Sequence, residues 1–273
     1  MPELPEVETV KETLKKIIIN KKIIETKIYY ADIIENMSSN EFIAKIKNQT
    51  INDITRRGKW LIFVLDDYYL LSHLRMEGKY NIRKKGDYKE KHEHVIFTFE
   101  DETELRYKDT RKFGKMHLIE KEKINKVKPL SEIGLEPFDN KLNKFYLYDQ
   151  FKNKKTAVKT ALLDQTIIAG IGNIYADEIL FLCLLNPNKR VCDLKEKDLE
   201  NIIKFTKEVL SQAIIDGGTT IRSFTSSDGV HGRFQQNLLV HNKKGSNCPK
   251  CNSIIEKISV GTRGTYYCPK CQK

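Results

Sequence analysis

The sequence predicts a multidomain α+β protein: a β-sandwich preceded by one helix, then a helical domain, then a small ribbon built on four cysteines. Three observations predict it. Strand-like apolar runs separated by acidic turns fill residues 23 to 119, helical periodicity takes over from about 141 to 215, and the segment from about 238 carries two Cys-x2-Cys pairs. At 273 residues the chain exceeds a typical single domain and has ample material for a core. We place the parts at 2–130, 131–237 and 238–273.

The first element is an amphipathic helix over residues 6 to 18. Val7, Val10, Leu14, Ile17 and Ile18 share one face. Pro5 suits its first position, Glu6 and Glu8 suit the positive N-terminal end, and Lys15 and Lys16 suit the other. In the β region, Lys59 to Leu65 meets Tyr69 to Leu71 across Asp66-Asp67, and His94 to Phe99 meets Glu104 to Tyr107 across an acidic turn. Residues 121 to 137 hold much charge, two prolines and weak periodicity, and read as a connection. Leu194 to Ile215 is the clearest helix of the middle part. Gly217-Gly218 then opens a Gly/Ser/Thr-rich loop reaching about Phe234.

The net charge of +11 and pI near 9.2 favour a polyanionic partner, nucleic acid before membrane. Richness in Lys, Ile and Asn, of the kind an AT-rich genome produces, carries part of that charge. Three glutamates in the first turn are the opposite of a basic secretory leader, and no stretch of about 18 uncharged apolar residues occurs. A cytoplasmic monomer with no membrane association is expected.

Cys248-x2-Cys251 and Cys268-x2-Cys271 stand sixteen residues apart, which is metal spacing. Four thiolates fit one structural zinc, with no coordination position left open for catalysis. Disulfides would need an oxidising compartment that the sequence does not suggest, and the spacing suits a zinc ribbon better than an iron–sulfur cluster. Cys183, among Phe181, Leu182, Leu184 and Leu185, reads as core. From Lys243 to Lys273, seven cations stand against the single acid Glu256, a net +6. A zinc ribbon with concentrated positive charge is the footprint of a nucleic-acid binder. No redox or nucleotide cofactor is indicated.

The chain start carries the most pointed chemistry. Removal of Met1 leaves Pro2 with a free secondary amine beside the carboxylic acid of Glu3. An α-amino group has a reference pKa near 7.7–8.0, so about a tenth is neutral at pH 7, against less than about one lysine in a thousand. A neutral amine attacks electrophilic carbon. Condensation of a secondary amine gives an iminium that cannot lose a nitrogen proton, and so remains an electron sink. Glu3 is placed to act as general acid or base. Further along, Ala169-Gly170-Ile171-Gly172-Asn173 joins two helical stretches through a Gly-punctuated turn, where Asn173 suits a helix cap and the helix N-terminus suits phosphate. Asp177 and Glu178 read as structural.

The octet Pro2-Glu3-Leu4-Pro5-Glu6-Val7-Glu8-Thr9 resembles the N-terminal signature of the bacterial formamidopyrimidine-DNA glycosylases, which excise 8-oxoguanine and ring-opened purines. The resemblance recurs in blocks along almost the whole chain: Gly58-Lys59-Trp60, Ser72-His73-Leu74-Arg75-Met76-Glu77-Gly78, Asp109-Thr110-Arg111-Lys112-Phe113-Gly114, Lys154-Lys155-Thr156-Ala157, the Gly-Asn turn, and Val260 to Cys268. It implies a helix–two-turns–helix element in the middle domain and a bifunctional glycosylase and AP lyase acting on double-stranded DNA that contains oxidised purines. Pro2 is then the nucleophile and Glu3 the acid, with Lys59 in the catalytic group and near phosphate. The resemblance implies phosphate contacts for His73, Asn173 and Arg263, a lesion or backbone contact for Lys155, and entry of Met76, Arg111 and Phe113 into the duplex. Glu6 helps order the site. The Gly217-to-Gln235 segment resembles a lesion-capping loop, with Thr220 and Ser223 as candidate readers.

The physics of a hidden C1′ agrees with that division. The nucleotide must be flipped out, and apolar wedges fill the space it vacates. Taken alone, a Met or Phe between strands is core material and a lone His is a satisfied surface group. Val240-His241-Asn242-Lys243 departs from the Val-Tyr-Gly-Arg often found in the family, which leaves the local contacts there open. Two rivals differ in class: an endonuclease VIII-like relative preferring oxidised pyrimidines, and a non-catalytic zinc-ribbon DNA binder. Leu4 and the 219-to-235 loop resemble the purine branch, and the intact Pro2-Glu3 pair argues against a non-catalytic role.

Overall fold

The computed structural model describes residues 1–219 and 232–273, which form two compact units. Unit one comprises 1–131 and 217–232; unit two comprises 132–216 and 233–273.

Unit one opens with α1 (Leu4–Ile18), whose Val7, Val10, Leu14 and Ile18 are buried on one face. Pro5 occupies the second helical position, where an N–H would have no helical acceptor in any case. After β1 (Ile23–Ile28) comes α2 (Ser39–Ile46), a helix inside the stretch whose composition predicts strands. Two turns give only one apolar repeat, Phe42 and Ile46, so periodicity could not reveal it. Ser38 caps it, its hydroxyl accepting from the Glu41 N–H at 3.2 Å.

The remaining strands are β2 (Asp53–Arg57), β3 (Trp60–Val64), β4 (Tyr68–His73), β5 (Lys79–Lys84), β6 (Glu93–Phe99), β7 (Thr103–Lys108) and β8 (Lys115–Glu120). They form two four-stranded antiparallel sheets, ordered β1-β6-β7-β5 and β2-β3-β4-β8. Both predicted hairpins, β3–β4 and β6–β7, are present. The sandwich core takes Val95, Phe97, Phe99 and Leu105 from one sheet and Ile54, Leu61, Phe63, Leu70 and Leu118 from the other, with α1 and α2 contributing their apolar faces. Each such side chain stabilises by about 1.5–3 kcal/mol through removal from water.

Two connections cross between the sheets at one end. β4 runs into β5 through residues 74–78, and β7 runs into β8 through residues 109–114. Because β4 pairs with β8 (His73 opposite Lys115) and β5 pairs with β7 (Lys79 opposite Lys108), the two crossings lie side by side.

Unit two packs α3 (Lys144–Phe151), α4 (Val158–Leu163), α5 (Asn173–Leu182) and α6 (Glu196–Ile215) around Leu147, Leu162, Tyr175, Ile179, Ile202 and Leu210. The buried Cys183 belongs to this core. The ribbon follows as the hairpin β9 (Glu256–Val260) and β10 (Arg263–Tyr267), with Phe181, Val240 and Ile255 packed about the cysteines. Among the described residues no helix is long and apolar enough to cross a membrane.

One charged group is locked inside unit one. Arg106 donates to Glu93 at 3.1 Å and to Glu104 at 2.6 Å, and all three are nearly inaccessible to water. Arg106→Ala would leave both carboxylates buried and uncompensated, so we expect a loss of about 3–5 kcal/mol of stability, read by urea unfolding of the full chain. A loss below about 1 kcal/mol would mean that the acids regain solvent freely.

Candidate active site and nucleic-acid interface

The first turn of α1 is held by a reciprocal capping box between Glu3 and Glu6. Glu3 is the N-cap residue, and Pro2, Glu3 and Glu6 are all buried. Glu6 Oε2 accepts from the Glu3 N–H at 2.8 Å, closing one half of a capping box. Its other oxygen accepts from the Thr219 N–H at 2.9 Å and from the Thr219 hydroxyl at 3.0 Å. Gly218 has φ +80, and a Cβ there would come within 2.7 Å of Glu6 Oε1, so the approach needs glycine. A Cβ on Gly232 would lie 2.3 Å from the Gly218 carbonyl oxygen. Gly218 and Gly232 therefore meet, with Gly218 against Glu6 in the first turn of α1.

Lys59 is presented by a turn tied to the same helix. Arg56 Nε donates to Glu8 Oε2 at 2.9 Å, and its Nη1 donates to the Gly58 carbonyl at 2.8 Å. Burial pushes the Glu8 carboxyl up, but hydrogen bonds and charge from Lys11 and Arg56 outweigh it and leave the pKa lowered. Gly58 takes φ +56 at the turn, and Lys59 beyond it is 7% exposed.

His73 faces Trp60 across the β3–β4 pair, with ring centroids 4.8 Å apart and edge-to-face. Its Nδ1 lies 3.0 Å from the Arg75 N–H and accepts from it, which leaves the ring proton on Nε2. Burial first, then the charges of Arg75 and Lys59, pull its pKa down to about 3. The imidazole is thus a neutral N–H donor at neutral pH. A phosphate contact from it would add a hydrogen bond and no charge.

Each of the two sheet crossings carries an exposed apolar side chain. Met76 is 37% exposed and Phe113 48%, both large for apolar groups. The Arg111 guanidinium stacks 4.7 Å from the centre of the Phe113 ring. Arg75 and Lys112, next to these residues, have φ +52 and +58, left-handed values that are uncommon outside glycine.

In unit two, Asn173 and the hairpin that bears Arg263 are joined. The helix cap is Gly172, not Asn173; Asn173 is the first helical residue, and its amide donates to the Gly264 carbonyl at 3.1 Å. Its Oδ1 is buried with no partner among the described residues. Arg263 is exposed at the start of β10. Lys155 is exposed in the coil before α4, and four residues on lies a group that sequence reasoning missed. Lys159, fully buried, bonds to Asp177 at 2.6 Å and to the Thr265 hydroxyl at 2.8 Å. Asp177 also holds His241 Nδ1 at 2.7 Å, so the residue at the atypical Val-His-Asn-Lys site has a partner on α5. Glu178 accepts from the N–H groups of Leu239, Val240 and His241 at 2.7 to 3.0 Å. Both acids are structural, as their sequence context suggests. Thr220 and Ser223 lie outside the described residues.

The four ribbon cysteines bring their sulfurs within 4.8 Å of one another, with Cys251–Cys268 at 3.5 Å and Cys248–Cys271 at 3.9 Å. Zinc–sulfur bonds of about 2.3 Å in a tetrahedron need sulfurs about 3.8 Å apart. These distances fit a metal and are too long for disulfides. The Ser253 hydroxyl lies 2.6 Å from the Cys251 sulfur, within the same cluster.

Models of three protein families match successive parts of the chain: Formamidopyrimidine-DNA glycosylase N-terminal domain over residues 1–116, Formamidopyrimidine-DNA glycosylase H2TH domain over 133–225, and Zinc finger found in FPG and IleRS over 245–273. The formamidopyrimidine-DNA glycosylases of Shouchella clausii and Oceanobacillus iheyensis are each 46% identical over 273 residues, covering all of this chain and 99% and 98% of the relatives. The chain belongs to the formamidopyrimidine-DNA glycosylase family. Among solved structures, a Lactococcus lactis FPG mutant in complex with DNA containing Fapy-dG is similar with a TM-score of 0.93 at 37% identity, covering all of both chains. Lactococcus lactis Fpg with abasic-site DNA gives 0.92 at 38%, covering 99% of each.

Within this glycosylase family the cysteine cluster is a zinc finger, and its zinc is structural. All four ligands are thiolates, leaving no open position. We expect Cys268→Ser to release the metal, whose binding supplies on the order of 10 kcal/mol to fold so small a ribbon, and to weaken DNA binding sharply while the sandwich stays folded. Zinc release to a colorimetric chelator, gel-shift affinity and circular dichroism check the three parts, and retained metal would sink the assignment.

His73 makes a second expectation. Its folded pKa lies below the unfolded value of about 6.5. The unfolded chain therefore binds the proton first as pH falls, and stability present above about 6.5 is lost on acidification toward 3. His73→Phe should flatten this part of the acid-side decline in melting temperature. An unchanged slope would show that His73 titrates normally.

Proposed function

We propose that this protein is a base-excision repair glycosylase and AP lyase whose nucleophile is the amine of Pro2, uncovered by removal of Met1. Membership of the family along the whole chain supports a glycosylase acting on oxidised purines in duplex DNA. The observation that carries the mechanism is the buried Pro2-Glu3 pair at the start of α1, steadied through Glu6.

The Pro2 nitrogen attacks C1′ of a flipped nucleotide, and the C1′–N9 bond breaks with its electrons leaving on the base. The Pro2 N–H proton passes to the departing base, and opening of C1′–O4′ by the freed nitrogen lone pair then gives the iminium, with Glu3 supplying the proton to O4′. The iminium acidifies C2′–H, the Glu3 carboxylate left by that transfer takes the C2′ proton, the C3′–O bond breaks with its electrons leaving on the 3′ phosphate, and a second elimination breaks C5′–O, leaving a one-nucleotide gap. Lys59, buried on a turn tied to α1, is the second catalytic group. Met76, Arg111 and Phe113 fill the space left by the flipped base, with Arg111 donating to the acceptors of the orphaned cytosine. His73, Asn173 and Arg263 grip phosphate, and Lys155 contacts the lesion or the backbone. We assign the protein to the bacterial cytoplasm, acting as a monomer.

Borohydride trapping on duplexes containing 8-oxoguanine tests this. One solved neighbour, Lactococcus lactis Fpg, is complexed with DNA containing an oxidised pyrimidine, so that lesion forms the comparison substrate. Peptide mapping should place the adduct on Pro2, and a residue inserted ahead of Pro2 should abolish trapping while damaged-DNA binding persists. Glu3→Gln should slow base excision more than cleavage of a preformed abasic site. An adduct on Lys59, or an active enzyme that retains Met1, would overturn the mechanism.

A further inference from the structure

The two crossings that carry Met76, Arg111 and Phe113 meet at one side chain. Tyr107, fully buried near the end of β7, has its hydroxyl between them. A Cβ built on Gly78, the last residue of one crossing, would lie 2.2 Å from that oxygen. A Cβ on Gly114, the last residue of the other, would lie 1.7 Å from it. Both glycines are there because the phenol occupies the space a side chain would need.

The second anchor is Asp109, also fully buried. One carboxylate oxygen accepts from the Arg111 N–H at 3.0 Å; the other accepts from the Gly114 N–H at 2.8 Å and lies 3.4 Å from the Tyr107 hydroxyl. Its carbonyl is held by His94 Nε2 at 2.9 Å. These bonds to the carboxylate come from the crossing itself and from Tyr107. On the far side, the Gly78 N–H donates to the Leu74 carbonyl at 2.9 Å and closes the Met76 crossing on itself. Tyr80, paired with Tyr107 in register and 5.2 Å from it ring to ring, donates to the Ser72 hydroxyl at 2.7 Å. Burial, and then the charge of Asp109, raise the Tyr107 pKa, so the phenol stays protonated.

We infer that Tyr107 and Asp109 are positioning residues that lock the two insertion crossings into one body, so that the Met76 wedge and the Arg111–Phe113 wedge enter the duplex together. The inference rests on the proposed roles of those three side chains. Neither Tyr107 nor Asp109 reaches DNA. They act by holding two loop tips, each with a left-handed non-glycine residue, in a geometry that neither loop keeps alone.

Tyr107→Phe tests it in the full chain, because it removes only the hydroxyl and keeps the ring in the core. A duplex with 2-aminopurine beside the lesion reports unstacking as the wedges enter. Excision of 8-oxoguanine opposite C and opposite A reports the Arg111 contact. We expect melting temperature and affinity for undamaged duplex to be unchanged, the 2-aminopurine rise to be lost, and the C-over-A preference to fall about fivefold, the lower end of what one lost base contact costs. Asp109→Asn, which sets an amide donor against the N–H of either Arg111 or Gly114, should lower both at least as far as Tyr107→Phe. A wild-type fluorescence rise and preference in Tyr107→Phe would overturn the inference. So would a loss shared equally by undamaged DNA and melting temperature, which marks a merely structural role. Arg111→Ala, run alongside, separates the two readings. If it leaves the preference unchanged, the role of Arg111 falls, and the inference is then decided by the fluorescence alone.

Discussion

A chain terminus is ordinarily the least constrained part of a protein, and the chemistry proposed here needs it to be among the most constrained. The carboxylate of Glu6 supplies that constraint. One oxygen holds the backbone of Glu3 and the other holds Thr219, more than two hundred residues on, so a single buried group ties the first turn of α1 to Thr219. Burying a carboxylate is costly unless its lone pairs are satisfied, and the N–H and O–H donors here contribute charge-assisted bonds to both oxygens. The amphipathic face of α1, packed into the sandwich core, provides the rigid body to which this arrangement is attached.

The same logic recurs at the sheet crossings and in unit two. At the crossings, the Tyr107 phenol packs between Gly78 of one connection and Gly114 of the other. In unit two, buried Lys159 and Asp177 join α4 and α5 to β10, so that Asn173 and the Arg263 hairpin hold a common frame. The hairpin is further held by zinc through Cys268 at its end. In each case a side chain proposed to meet DNA stands on a turn or element end. The buried polar group beneath it is hydrogen-bonded, as a low-dielectric interior demands.

Patterns that repeat over many residues were legible. The face of α1, both β hairpins, the long α6 and the cysteine spacing each repeat a simple period or interval, and the resemblance of the octet at the chain start pointed to the family that the comparisons establish. Short or long-range features were not. α2 is too brief for its period to register. Asn173 looked like a cap because capping is a local rule, whereas its amide serves a hairpin ninety-one residues away. Lys159 gave no sign of burial, since its only warning was an acid, Asp177, eighteen positions further on.

What the sequence alone determined is therefore the inventory: a sandwich with a leading helix, a helical middle, a four-thiolate metal ribbon, and a proline at the second position beside a glutamate. Those follow from periodicity, spacing and residue chemistry, all of which act within a few residues. Only the tertiary structure decided which buried polar groups hold that inventory in place. Glu6 with Thr219, Lys159 with Asp177 and Thr265, and Tyr107 between Gly78 and Gly114 are meetings of distant segments. Their energies arise from desolvation and excluded volume, which exist only once the chain has folded around them.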